Sequence, residues 1–172
     1  MAEAPGGHGG VRPGEEGPGV EGRGFELPLL LFAGFRSVID ALHRELAEEG
    51  HPDMRPAYGY ALQAVGLRGA TASEIGRRLG VSKQAAGKTV DRLESLGYVE
   101  RADDPDDGRR KLVRLTARGT DVLARSAAGF DRLRAEWVLA LGADRVRALE
   151  DDLRTMAPDG AFRLDVASWF NG

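Results

Sequence analysis

The side chains of this 172-residue chain that could do chemistry gather in one stretch. Between Arg68 and Arg118 stand 12 Lys and Arg against 8 Asp and Glu, while the remainder holds 12 against 19. All three lysines, Lys83, Lys88 and Lys111, fall inside this window, beside Gln84 and the pair Arg109-Arg110. The overall net charge of −3 hides this local excess of four positive charges. On charge alone, a polyanion site and a solvated face fit equally well. Covalent and metal chemistry is poorly provided for. The chain has no cysteine, which excludes disulfides, thiolate nucleophiles, Cys-ligated zinc and thiol redox sensing. His8, His43 and His51 lie far apart, none in a His-x-x-x-His spacing, so neither a metal site nor another cofactor is expected. There is no G-x-S-x-G, and the glycine cluster at 1–24 follows no strand that could make a phosphate-cradling turn. The expectation is a binding protein, not an enzyme.

The elements that must position the basic window can be read from caps and periodicity. Leu31, Phe35, Val38, Ile39, Leu42 and Leu46 recur at spacings of three and four, which predicts a helix over Glu26–Glu48, stopped by Gly50-His51-Pro52. Leu27, Leu29, Leu30 and Phe32 add more apolar surface than one stripe needs, which calls for a covering element or subunit. A short helix follows from about Arg55 to Val65, with Pro56 in its first turn. Thr71-Ala72-Ser73-Glu74 is a capping box, and Gly80 suits the left-handed stop of the helix it opens. Ser82 then caps a further helix, Lys83–Leu96, with Ala86, Val90, Leu93 and Leu96 inward and Lys83, Gln84, Gly87, Lys88 and Asp91 outward. Two helices joined by a glycine-containing turn of about three residues are helix-turn-helix grammar. Tyr98–Arg101 and Lys111–Leu115 read as the strands of a hairpin with a long charged tip. Thr116 caps a helix to about Leu141 with Leu123, Ala127, Phe130, Leu133, Trp137 and Leu141 on one stripe. A last helix, about Ala143–Met156, carries Val146, Leu149, Leu153 and Met156.

The fold class expected is mainly α (α+β), a winged helix-turn-helix lobe with a two-stranded hairpin between N- and C-terminal helices. Such a fold lays the start of its second helix in a DNA major groove. Ser82, Lys83, Gln84, Gly87 and Lys88 then become candidate contacts. Gln can pair with adenine in bidentate fashion, and Lys can donate to guanine or phosphate. Gly87 permits close approach, although it equally suits a neutral surface position. Arg109 at the hairpin tip, with Arg110 and Lys111 beside it, can reach a narrow minor groove, and Asp106 and Asp107 are placed to brace the arginines. Thr71 and Ser73, opening the first helix of the pair, complete the candidate set.

Three strings carry a family resemblance: TASEIGRRLGVS at Thr71–Ser82, VDRLESLGYVER at Val90–Arg101 and DPDDGRRKLVRLTARG at Asp104–Gly119. Together they resemble the MarR family of winged helix-turn-helix regulators. Asp107-Gly108-Arg109 matches the family's Asp-x-Arg wing and Leu115–Gly119 its Leu-Thr-x-x-Gly. The resemblance covers about Phe25 to Met156. It implies a homodimer on a pseudo-palindromic operator, with Leu27, Leu31, Phe35, Phe130, Trp137, Val146 and Leu149 at the dimer interface. It also implies repression or activation relieved by a small aromatic or lipophilic ligand. Phe35, His43 and Tyr58 are candidates for that pocket, though each also has core or interface character. Gly108 stands where the family wing often has Arg, and the cysteine of the family's peroxide-sensing branch is missing.

The domain division that follows is a Gly/Pro-rich disordered arm at 1–24 and a single domain at 25–156. Within it, 25–54 and 117–156 form the dimerisation helices and 55–116 the DNA-binding lobe. A tail at 157–172 with Phe162, Trp169 and Phe170 has no assigned place. The longest apolar run is Leu29–Ala33, far below the roughly 20 residues that span a bilayer, and the start lacks an apolar signal core. A cytoplasmic location with no membrane partner is expected. The rival reading is an adaptor that uses the winged helix to bind protein. A strong salt dependence of duplex affinity separates the two.

Overall fold

The computed structural model describes residues 24–104, 108 and 110–156. Six helices and one hairpin follow in the order α1 (Glu26–Glu48), α2 (Pro56–Val65), α3 (Ala72–Leu79), α4 (Lys83–Ser95), β1 (Val99–Asp103), β2 (Lys111–Leu115), α5 (Ala117–Leu141) and α6 (Ala143–Met156). This is the mainly helical winged-helix architecture. The leader, the wing-tip residues 105–107 and 109, and the tail from 157 lie outside the described residues.

Local chemistry sets most of the boundaries. Pro56 opens α2, where its missing N–H is no loss. The Thr71 hydroxyl accepts from the Glu74 amide while the Glu74 carboxylate accepts from the Thr71 amide, so the capping box is complete. Gly80 takes the left-handed conformation (φ 72°) that ends α3. Val81 then donates back to the Gly76 carbonyl at 2.9 Å, and Ser82 caps α4 by accepting from Ala85. The two helices cross very closely. A Cβ at Gly76 would stand 3.0 Å from the Val81 carbonyl oxygen and 3.4 Å from the Ala86 methyl. Two small residues therefore set the helix-turn-helix angle.

One core joins both halves of the molecule. Leu46, Leu62, Val65, Ile75, Val90, Leu93, Val99, Val113 and Val122 are all essentially fully buried. Each contributes about 1.5–3 kcal/mol on leaving water. The hairpin pairs antiparallel from Val99↔Leu115 to Asp103↔Lys111. A single bridge, Ala70↔Val113, ties the residue before α3 to the wing, with bonds in both directions at 2.9 and 3.0 Å. Tyr98 differs from its sequence expectation as a strand residue. Its amide closes the end of α4 by donating to the Leu93 carbonyl at 2.9 Å, its side chain is fully buried, and the strand begins at Val99.

The start of α5 grips this same residue. The Thr116 amide donates to the Tyr98 carbonyl at 3.1 Å, and the Thr116 hydroxyl donates to the Gly97 carbonyl at 2.7 Å. A Cβ at Gly119 would fall 2.1 Å from the Tyr98 carbonyl oxygen. That clash is with backbone, which cannot rotate away. Gly119→Ala is expected to lower stability by about 1–3 kcal/mol through overpacking. Chemical denaturation monitored by circular dichroism checks this, and an unchanged midpoint would refute the close contact.

Candidate nucleic-acid interface

The outward face of α4 carries Lys83, Gln84 and Lys88, all exposed, with open space around the Gly87 α-carbon. Neither Lys83 nor Lys88 makes an ion pair among the described residues. Beside them lies an open depression of about 350 Å³ lined by Thr71, Ala72, Ser73, Lys83, Arg110 and Lys111. The fold thus brings the first turn of α3, the first residue of α4 and the base of the wing to one place. Six of the ten sequence-expected contacts meet on α4 or in this depression as exposed groups: Ser73, Lys83, Gln84, Lys88, Arg110 and Lys111. Arg109 lies outside the described residues.

Two of the expected contacts already have work to do within the chain. The Thr71 hydroxyl donates to Glu74 Oε2 at 2.8 Å and accepts from its amide at 3.2 Å. The Ser82 oxygen accepts from the Ala85 amide at 3.1 Å. Both hydroxyls are helix caps first.

Acidic side chains near this face are held by arginines. Arg101 of β1 donates to Asp91 at 2.6 Å and also to Glu94, tying the wing to the back half of α4. Its hydrogen bond to Asp91 and the charges of Asp91 and Glu94 raise the Arg101 pKa. Arg110 stands 3.7 Å from Glu74 and 3.9 Å from Asp104. The expectation that Asp106 and Asp107 brace the arginines falls on undescribed residues. The acids that do face Arg110 come from the α3 cap and the end of β1. Lys111 pairs with Asp103 across the hairpin. Among the described residues no cluster of His, Asp and Glu could hold a metal ion. No described helix is long and apolar enough to cross a membrane.

Comparison with known proteins adds to this geometry. Residues 53–110 match the family model described as MarR family. The chain is 50% identical over 43 residues to the uncharacterized HTH-type transcriptional regulator YcgE of Bacillus subtilis, a match covering 25% of this chain and 28% of that protein. It is 31% identical over 84 residues to the uncharacterized HTH-type transcriptional regulator YdgJ of the same organism, 49% of this chain and 51% of that one. These matches therefore span about a quarter and a half of the two relatives' lengths. A mutant MarR from E. coli, solved in complex with operator DNA, superposes with a TM-score of 0.60 at 28% identity, over 76% of this chain and 93% of that one. The helix-turn-helix lobe resembles the MarR family, and the whole fold is similar to that of a solved MarR.

The residues expected at a dimer interface fall into two groups. Leu27, Leu31 and Phe35 stand exposed on the first half of α1. Phe130, Trp137, Val146 and Leu149 line an apolar groove of about 310 Å³ between α1, α5 and α6. Val146 is only 3% exposed within the single chain, so it packs in its own protomer and has little surface left for a partner. The groove is crossed by a bidentate pair, Arg134 to Glu150, at 2.6 and 3.1 Å. This pair lowers the Glu150 pKa.

The three effector-pocket candidates do not come together. His43 lines a crevice of about 40 Å³ between α1, α2 and α5, whereas Tyr58 packs against the core and Phe35 is exposed. Tyr60, two residues on, lines the crevice instead, and burial raises its phenol pKa.

The capping box yields a pH prediction. The Thr71 amide, then its hydroxyl, hold the Glu74 carboxyl below its ordinary value, with Arg110 adding to the effect. A depressed folded-state pKa stabilises above the unfolded value and fades as pH falls through the folded one. Thr71→Ala is expected to lose about 1 kcal/mol of stability at pH 7. Its deficit should narrow as pH falls from the ordinary carboxylate range through the depressed folded-state value of Glu74. Urea midpoints at pH 7 and pH 3.5 check this, and a deficit independent of pH would refute it.

Proposed function

We propose that the chain is a transcriptional regulator that binds double-stranded DNA as a homodimer, with α4 in the major groove and the wing against the backbone and minor groove. The observation that carries this reading is the free cationic face. Lys83, Gln84 and Lys88 are exposed and turned outward next to Arg110 and Lys111, while the acids around them are held by Arg101 and Arg110. The likeness to a MarR solved with operator DNA supports it. Contacts from Thr71, Ser73, Ser82, Gly87 and Arg109 belong to the same reading.

The exposed apolar start of α1 and the groove with Phe130, Trp137 and Leu149 support a second copy as the partner. A two-fold dimer presents equivalent helices to successive major grooves, roughly 34 Å apart, on a pseudo-palindromic site. The reading includes repression relieved by a small aromatic or lipophilic ligand, entering between α1, α2 and α5 where His43 and Tyr60 line the crevice. Such a protein works in the cytoplasm, beside the chromosome. By linkage, the ligand must bind the free protein better than the DNA-bound one.

Helix and wing divide the labour. Gln84→Ala is expected to change preference at one base position by about 1–3 kcal/mol. Arg110→Ala should weaken binding to most sequences and lower the salt slope by about one per half-site. A randomised duplex library titrated at several salt concentrations reads both effects. Unchanged selection and unchanged slope together would favour protein binding by the winged helix instead.

For the dimer, Leu31→Asp is expected to monomerise or unfold the protein, because it buries an unpaired charge. Sedimentation showing a folded wild-type monomer at micromolar concentration would defeat that part of the reading.

A further inference from the structure

His51 is the buried polar side chain of the described core, 3% exposed in the connection between α1 and α2. Its two ring nitrogens face different elements. Nδ1 lies 3.1 Å from the Tyr98 hydroxyl, at the junction of α4 and the wing. Nε2 lies 2.9 Å from Asp121 Oδ2 on α5. Arg118, also on α5, donates to the Tyr98 hydroxyl at 3.3 Å and to the Gly50 carbonyl at 2.8 Å, and lies over the Tyr98 ring at 4.8 Å. Arg125 donates to Asp121 at 2.8 Å and to Glu49 of α1 at 3.0 Å.

One arrangement of protons satisfies every atom. A guanidinium only donates, and an ionised carboxylate only accepts. The Tyr98 oxygen therefore accepts from Arg118, and His51 Nε2 must carry the hydrogen that Asp121 accepts. A neutral ring then leaves Nδ1 bare, ready to accept the Tyr98 O–H. Asp121 stays ionised, since Arg125 first and His51 second hold its carboxyl below the usual range. A second proton on His51 turns Nδ1 into a donor aimed at an oxygen that already accepts from Arg118. The Tyr98 O–H, fully buried, is then left without an acceptor, which is the expensive state for a hydroxyl. The groups that face the ring from the surrounding elements are Tyr98 after α4, Arg118, Asp121 and Arg125 on α5, and Glu49 at the end of α1. The hydroxyl conflict falls on the Tyr98 side, while Asp121 keeps its bond.

We propose that Tyr98, His51 and Asp121 form a hydrogen-bonded relay that positions α4 and the wing on α5, and that protonation of His51 releases the Tyr98 end and weakens DNA binding in mild acid. The inference rests on the DNA-binding reading above. Tyr98 stands three residues beyond the last residue of α4 and immediately before β1, so the end of α4 and the start of the wing meet at it. In a dimer that must match one turn of duplex, a small swing at this joint misplaces the second half-site. Imidazole is the side chain whose ordinary titration falls between pH 5 and 8. Tyr98, His51 and Asp121 are positioning residues, not DNA contacts.

The test uses the full chain and a duplex selected by it from a randomised library at pH 8. From pH 8 to 5.5 at constant ionic strength, wild-type affinity is expected to fall by about tenfold, the worth of one lost buried hydrogen bond. His51→Gln can still donate to Asp121 but does not titrate, and its affinity should change by less than about twofold. Tyr98→Phe removes the conflicted hydroxyl and should flatten the profile too; it decides the question if His51→Gln fails to fold. His43→Gln should keep the wild-type profile. Equal profiles for wild type and both relay variants, or flattening by His43→Gln instead, would overturn the proposal. Long-range 15N–1H spectra of the free chain at pH 8 should show His51 as the Nε2–H tautomer, and an Nδ1–H ring would overturn the relay without any DNA. If the wild type shows no salt-dependent duplex binding at pH 8, the DNA reading fails and the acid response with it, while the ring spectrum still judges the relay.

Discussion

The first turn of α5 lies so close to the Tyr98 peptide that there is no room for a side chain at Gly119. Around this contact the Thr116 amide and hydroxyl bond the Tyr98 and Gly97 carbonyls, and Arg118 covers the tyrosine ring. On one side of the joint stand the end of α4 and the start of the wing. On the other, α5 runs unbroken for 25 residues into the half of the molecule that carries the exposed apolar surface. A glycine is required because the contact is backbone against backbone. The close fit fixes the end of α4 and the start of the wing on α5, so an interface that orients α5 also orients α4 and the wing.

The electrostatics follow from how the acids are placed on that frame. Asp91 and Glu94 occupy the back half of α4, and Arg101 binds both. Glu74 and Asp104 flank Arg110, which remains half exposed. Such surface pairs add little stability, about 0–1 kcal/mol each. Their larger effect is on the field. They neutralise the acids at the edges, while Lys83 and Lys88 at the start of the helix make no ion pair among the described residues. A chain with an acidic total charge thereby presents cationic side chains together at the start of α4 and the base of the wing.

Much of this was legible in the sequence where the signal is local. The capping box at Thr71–Glu74, the stop at Gly80, the caps at Ser82 and Thr116 and the strand Lys111–Leu115 all stand where residue chemistry within three or four positions puts them. What escaped depends on pairs distant in sequence. The Ala70↔Val113 bridge is a single pair with no periodic pattern. His51 meets Tyr98 47 positions away and Asp121 70 positions away, and nothing near any of the three marks the meeting. Glu74 and Arg110 were each read for a local role, the cap and the wing, and only the fold shows them facing each other. Tyr58 and Tyr60 sit two apart on a ten-residue helix, so periodicity alone does not decide which one turns toward α1 and α5. Arg109, singled out from its motif, lies outside the described residues and rests on the sequence alone.

α5 also joins the two ends of the molecule physically. Leu42 of α1 packs where Gly129 has no side chain, with a Cβ there falling 2.5 Å from its Cδ1. Arg132 pairs with Glu45 at 2.6 Å and Arg125 with Glu49 at 3.0 Å, so polar contacts flank the same seam. The first half of α1, from Phe25 to Phe35, extends beyond this seam with its large apolar residues 44–68% exposed. A patch of that kind on one chain marks an interaction surface. The Gly129 seam fixes the second half of α1 against α5. At the far end α5 meets Tyr98 through Gly119. The apolar end and the end of α4 are therefore both held to one helix by glycine-mediated close contacts. Close contacts of this kind have little slack, because packed interiors shift between discrete arrangements and do not deform continuously.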